Sequence, residues 1–183
     1  MLSDECYIEF TWDGPPRSIL DHGTEGVLAL HSLSKRSNLA GLRVGVYAGD
    51  ADLVQYLREI RKHSGAMIPA PNQAAAAVAF ADDTHVDAQR DVYRERIDLV
   101  AKTLRTLGAD VPAPGGGFYL WVPATDGDAW AFANFLATRG GAVVSPGEFY
   151  GDAGATHVRI ALVQPTDRLE LLARRLGDVR PES

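Results

Sequence analysis

Between His31 and Gly45 the sequence HSLSKRSNLAGLRVG sets one lysine, Lys35, among three serines and carries an arginine, Arg43, eight positions after it. A lysine amine is a covalent nucleophile only when partly deprotonated, a state that burial or a neighbouring cation promotes. Arg43 is such a neighbour if the loop folds it back. Ser32, Ser34 and Arg43 together offer two hydroxyls and a planar guanidinium, a donor set suited to a phosphate dianion. The same residue types also fit a solvated loop carrying ordinary charges, so composition alone leaves both readings open.

Other chemistry finds little support. The five histidines, at 22, 31, 63, 85 and 157, show no pairing at i, i+4, and Cys6 is the single cysteine, so no metal centre is expected. Gly115 to Gly117 precede a strand instead of opening a helix, which suits a tight turn and not a dinucleotide fingerprint. Ser145 has no acid and base partner recognisable from the sequence. The acids behind the net charge of -6 are spread along the chain, and no basic run argues for nucleic acid or an anionic membrane as a partner. The chain has no leader pattern, no apolar stretch of membrane length and one cysteine, so the cytoplasm is the expected compartment.

A lysine beside a phosphate cradle is what pyridoxal phosphate requires. SLSKRSNLAGLRVG resembles the cofactor-lysine signature of the class I and II aminotransferases, the fold-type I enzymes that use this cofactor. The resemblance implies that Lys35 is the catalytic, cofactor-bearing residue and that Ser32, Ser34 and Arg43 hold the phosphate. SDECY, Ser3 to Tyr7, resembles the family's strand end, where an aspartate pairs with the pyridine nitrogen and a tyrosine touches the phenolic oxygen; those roles fall on Asp4 and Tyr7. HVRIAL, His157 to Leu162, resembles a late strand whose arginine grips the substrate α-carboxylate, which makes Arg159 the substrate-binding residue. PGGGFYLWV and SPGEFYG are similar to family segments lining the substrate side, with Gly116, Phe118 and Phe149 expected to be mainly structural. Within the family the chain is most similar to the succinyldiaminopimelate aminotransferases of actinobacterial type. That implies exchange of an amino group between glutamate and a 2-oxo acid, N-succinyl-2-amino-6-oxopimelate, in lysine biosynthesis. A lyase of the same fold, a non-catalytic remnant and one subunit of a split enzyme are the alternatives.

The elements that must carry these residues follow from periodicity and punctuation. CYIEFTW predicts strand, ended by the Gly and Pro of WDGPPRS; GVLALHSL predicts a buried strand whose carboxyl end bears the lysine loop, and GLRVGVYAGD a third strand. ADLVQYLREIRKHSG has helical spacing, a basic last turn and a terminal Gly65, and QAAAAVAFAD predicts a small-residue helix. Residues 84 to 108 predict one long helix with Val86, Val92, Ile97, Val100, Leu104 and Leu107 on one face. Beyond it the pattern predicts strand GGGFYLWVP, helix DAWAFANFLATRGG, strand and loop AVVSPGEFYG, strand THVRIALV and helix TDRLELLARRLGDV. The expected fold class is α/β: residues 1–83 as the end of the cofactor-binding large-domain sheet, and 84–183 as a connecting helix and small carboxyl-terminal domain. The resemblance covers only about the second half of the family's length. It implies that the glycine-containing phosphate turn and the aromatic that stacks on the cofactor ring come from elsewhere, with a homodimer or a complementing amino-terminal half as the expected assembly.

Overall fold

β1 (Leu2–Asp4), β2 (Leu28–Ser32) and β3 (Gly45–Gly49) form a three-stranded sheet in the order β1-β2-β3. The computed structural model describes residues 1–177. β1 runs parallel to β2, with Leu2 opposite Leu28 and Asp4 opposite Leu30, and β3 runs antiparallel, with Ser32 opposite Gly45. A parallel pair needs a long crossover, and residues 5–27 supply it through two short 3-10 turns, Ile8–Phe10 and Ile19–His22. Ser18 and Asp21 close the second turn with a capping box.

The strand predicted for CYIEFTW is not formed. Asp4 ends β1, and its Oδ1 accepts from the Cys6 backbone N–H at 3.1 Å, the local bond by which aspartate starts a turn. Ile8 N–H then donates to the Glu5 carbonyl and Phe10 N–H to that of Tyr7, while the fully buried Phe10 side chain anchors the turn. The β-like residue types that suggest an extended segment are here spent on tertiary contacts.

α1 (Leu33–Arg36) is a single turn, and α2 (Ala51–His63) begins where the Asp50 carboxylate caps the N–H groups of Asp52 and Leu53 and stops just before Gly65 at φ 73°. α3 (Ala70–Phe80) is the expected small-residue helix, with proline in its first turn. Leu33, Val44 and Ala76 form the buried centre of the first unit, with Leu39, Leu42, Ile68 and Phe80 packed around it.

α4 (Thr84–Thr106) buries Val86, Ile97, Val100 and Leu104 and leaves Val92 half-buried, whereas Leu107, predicted in the helix, lies half-buried in the turn just after it. Gly108, at φ 82°, sends its N–H to Arg105 O and terminates the helix. The chain divides into two compact units, Met1–Arg90 and one starting at Asp91, so the boundary falls within this helix. In the second unit β4 (Tyr119–Pro123), α5 (Ala129–Phe135), β5 (Ser145–Pro146), β6 (His157–Ala161) and α6 (Thr166–Gly177) follow in chain order. The sheet order is β4-β6-β5, antiparallel throughout.

Strand alternation sorts the two faces of this sheet. Leu120, Val122, Val158 and Ile160 are buried on one face, whereas Tyr119, Trp121, His157 and Arg159 lie on the other. Leu169, Leu172 and Leu176 of α6 complete the core. The single helix predicted for DAWAFANFLATRGG ends its α-helical part at Phe135 and widens into a π turn at Leu136–Gly140, with Gly140 against Leu172 and Leu176. The last helix is predicted through Val179; Asp178 and Val179 lie outside the described residues. Among the described residues no helix is long and apolar enough to cross a membrane. The architecture is the expected α/β one: a mixed sheet like the end of a larger one, and a separate small antiparallel unit with its own helices.

Candidate active site

Lys35 sits at the carboxyl end of β2, where Ser32 leaves the strand in extended conformation and caps α1 by accepting the Ser34 N–H at 3.1 Å. Leu33 pins the turn: its side chain is fully buried, its N–H donates to Val44 O, and its carbonyl accepts from Ser37 and Leu39. The Lys35 Nζ lies 5.8 Å from the centroid of the Tyr7 ring. Two residues singled out from separate motifs are thus brought together by the parallel pairing of β1 and β2.

Asp4 is exposed at the end of β1. The Cys6 side chain and then the Cys6 backbone N–H, as hydrogen-bond donors, hold its carboxyl below the usual aspartate range against a small opposing effect of burial. Its neighbour Glu5 is 7% exposed, and burial works to raise its carboxyl. The Ile19 N–H, the Ser18 and Ser3 hydroxyls and His31 outweigh that and lower it. Burial also pushes the Cys6 thiol up, to about 11, with the Asp4 carboxylate adding to the shift.

Arg43 adopts a left-handed backbone at φ 53°, rare for a residue with a Cβ, and so does Asn38 in the same loop. Strain of this kind concentrates where structure serves a site. The Arg43 Nη1 donates to Ala40 O at 3.0 Å. Arg43 and Ser32 share the wall of an open cavity of about 640 Å³ with Cys6, His31, Tyr47 and Arg58, a wall that Lys35, Asp4 and Tyr7 do not join.

Arg159 belongs to the second unit, on the outer face of β6 opposite Trp121 and Ser145. Its guanidinium carbon lies 4.7 Å from the ring centroids of both Tyr119 and Tyr150, and its buried Nε has no hydrogen-bond partner among the described residues. A guanidinium held between two rings keeps its charge and its terminal N–H groups, the donor geometry that can pair with a carboxylate.

Two features escaped the sequence reading. Arg36 looks like a loop charge beside Lys35 but is itself 5% exposed and bonded to Glu9, Ala79 O, Asp82 O and Asp83. Tyr150 follows Phe149 in SPGEFYG, and only the turn Gly147–Tyr150 shows that the second aromatic reaches Arg159. The alternation that places Tyr119 and Trp121 on the Arg159 face was the available signal for the first wall of that site.

Over residues 1–176 the chain matches the family described as aminotransferase class I and II. It belongs to that family. Pyridoxal phosphate is the cofactor of this fold, and the donor set of this aminotransferase chain fits it in kind: an amine, two hydroxyls, a guanidinium and an ionised carboxylate. The chain is 46% identical to the 4-dedimethylamino-4-oxo-anhydrotetracycline transaminase OxyQ of Streptomyces rimosus, covering 96% of this chain and 50% of that protein. It is 34% identical to an LL-diaminopimelate aminotransferase of Dehalococcoides mccartyi, covering 98% and 48%. Among solved structures, an aminotransferase from Neisseria meningitidis superposes with a TM-score of 0.85 at 36% identity, over 96% of this chain and 48% of that one. The chain therefore spans about half the length of the relatives it matches.

Proposed function

We propose that this chain is the lysine-bearing half of a cytoplasmic pyridoxal-phosphate-dependent aminotransferase, exchanging an amino group between an amino acid such as glutamate and a 2-oxo acid. The observation that carries the reading is Lys35 on a capped turn beside Tyr7, at the end of a strand parallel to the one ending in Asp4. When bound, the cofactor supplies an electron sink beside the substrate α-carbon. Lys35 anchors it and moves the α-proton as general base and acid. Asp4 would pair with the ring nitrogen of a bound cofactor, and its carboxyl, held below the usual range, would favour that nitrogen's protonated form. Tyr7 would meet the phenolic oxygen, and Ser32, Ser34 and Arg43 would hold the phosphate by charge-assisted hydrogen bonds.

Arg159 binds the substrate α-carboxylate, a role supported by its two tyrosine walls and by an Nε that has no hydrogen-bond partner among the described residues. For its assembly we propose either the homodimer expected of the family or pairing with a complementing amino-terminal half. For the substrate we favour N-succinyl-2-amino-6-oxopimelate, a reading supported by the diaminopimelate aminotransferases among the relatives. The name of OxyQ supports the rival, a bulky cyclic ketone.

Borohydride reduction after incubation with pyridoxal phosphate, followed by peptide mapping, tests the cofactor role. An adduct on Lys35 is expected; its absence in folded protein refutes productive cofactor binding by this chain. In the complemented enzyme, Arg159→Ala raises KM for amino donors at least tenfold, and an unchanged KM removes Arg159 from carboxylate binding.

A further inference from the structure

A four-residue helix cannot hold its own orientation, because one turn gains too few hydrogen bonds to offset the cost of nucleation. α1 is such a turn, with Ser37 N–H to Leu33 O at 3.1 Å closing it, and Lys35 lies within it. Its direction is therefore set from outside, on one side by buried Leu33 and on the other by Arg36.

Arg36 is 5% exposed, and its guanidinium gathers three segments. Nε pairs with Glu9 Oε1 at 3.1 Å, in the turn that begins one residue after Tyr7. Nη1 donates to Ala79 O at 3.0 Å and Asp82 O at 3.3 Å, Nη2 pairs with the Asp83 carboxylate, and the Phe80 ring centroid lies 5.6 Å from Cζ. Burying a cation between two carboxylates costs desolvation that an apolar side chain would avoid. A planar fork, however, fixes direction as well as distance, which apolar packing does not. The next residues extend the clasp: Ser37 Oγ meets His85 Nε2 at 2.8 Å, and Asn38 donates to Gln89 at 2.7 Å.

We propose that Arg36 is the positioning residue for Lys35: it locks the one-turn helix to the Tyr7 turn and to the connection between α3 and α4, so that the amine meets the cofactor aldehyde in one orientation. The proposal rests on the cofactor role of Lys35 given above.

The test uses the 183-residue chain and its Arg36→Met, Arg36→Lys and Glu9→Gln variants, with folding checked by circular dichroism. Two quantities are read: amide hydrogen exchange over residues 33–39, and borohydride-trapped pyridoxal phosphate on Lys35 relative to Lys62 and Lys102. In Arg36→Met exchange at 33–39 accelerates at least tenfold while amides of α6 keep their rates, and the preference for Lys35 disappears. Arg36→Lys restores part of both, and Glu9→Gln falls between wild type and Arg36→Met. Unchanged exchange in folded Arg36→Met, or faster exchange with the Lys35 preference intact, overturns the proposal. If Arg36→Met does not fold, Arg36→Lys and Glu9→Gln decide by the same two readings. If wild type shows no preference for Lys35, the cofactor reading fails, and exchange alone decides whether Arg36 holds the turn.

Discussion

Cys6 and Asp4 titrate against each other: the thiol donates to the carboxylate, which favours the charged acid and the neutral thiol. Burial is the larger cause of the thiol's rise to about 11, and the Asp4 contribution adds to it. Because the thiolate is the reactive form, Cys6 alkylates slowly with iodoacetamide at pH 8, and its rate climbs only as pH approaches 11. Asp4→Asn removes the Asp4 contribution and leaves burial and the Glu9 carboxylate, so its alkylation at pH 8 is several-fold faster than wild type; equal rates would dissociate the pair. The same residue scale explains Arg159, whose aromatic walls hold the cation while its Nε has no acceptor among the described residues.

At the scale of elements, the segment after β5 matters most for Arg159. Gly147 and Gly154 pack backbone against backbone beneath the Trp121 ring, bringing the Gly147–Tyr150 turn onto the outer face of β6. A Cβ on Gly147 would run into the Gly154 carbonyl and come within 2.7 Å of His157 O and 2.8 Å of Trp121. Backbone cannot yield as a side-chain tip can, so Gly147→Ala costs about 2–3 kcal/mol by overpacking. It lowers the melting temperature of the second unit by roughly 10 °C. Displacing Tyr150 also opens one wall of Arg159, so tryptophan fluorescence from Trp121 changes with the melting point. A wild-type melting curve for this variant would show that the close approach is not needed.

At the scale of the molecule, the two units differ in how completely they bury what they carry. The second has its own core, with Leu104, Leu120, Leu136, Leu162 and Leu176 at most 1% exposed. Both units expose some large apolar side chains, Trp130, Val143 and Phe149 in the second and Leu2, Val46, Leu53, Tyr56, Ile60, Met67 and Val78 in the first, but among the described residues only the first carries a long helix, α2, with no buried residue. Exposed apolar surface on this scale invites association. A fragment of residues 84–183 is therefore expected to melt cooperatively by calorimetry, whereas residues 1–90 alone bind a hydrophobic dye and sediment as aggregates. A monomeric, dye-silent 1–90 fragment would contradict this.

What the sequence by itself determined is local in origin. The spacing of Ser32, Ser34, Lys35 and Arg43, the apolar stripe of α4 and the basic last turn and terminal Gly65 of α2 arise between residues a few positions apart, and these two long helices form where expected. The tertiary structure decided the rest. Cys6 to Phe10 carries strand-forming residue types yet turns, because Phe10 finds a buried site and the Asp4 carboxylate captures the Cys6 N–H. Arg36 passes for a loop charge until Glu9, Ala79 and Asp83 are folded around it, and Arg159 gains its aromatic walls only when Tyr119 and the Tyr150 turn reach the same sheet face. Periodicity and capping are properties of neighbours along the chain; burial and ion pairing are properties of segments that meet only in the fold.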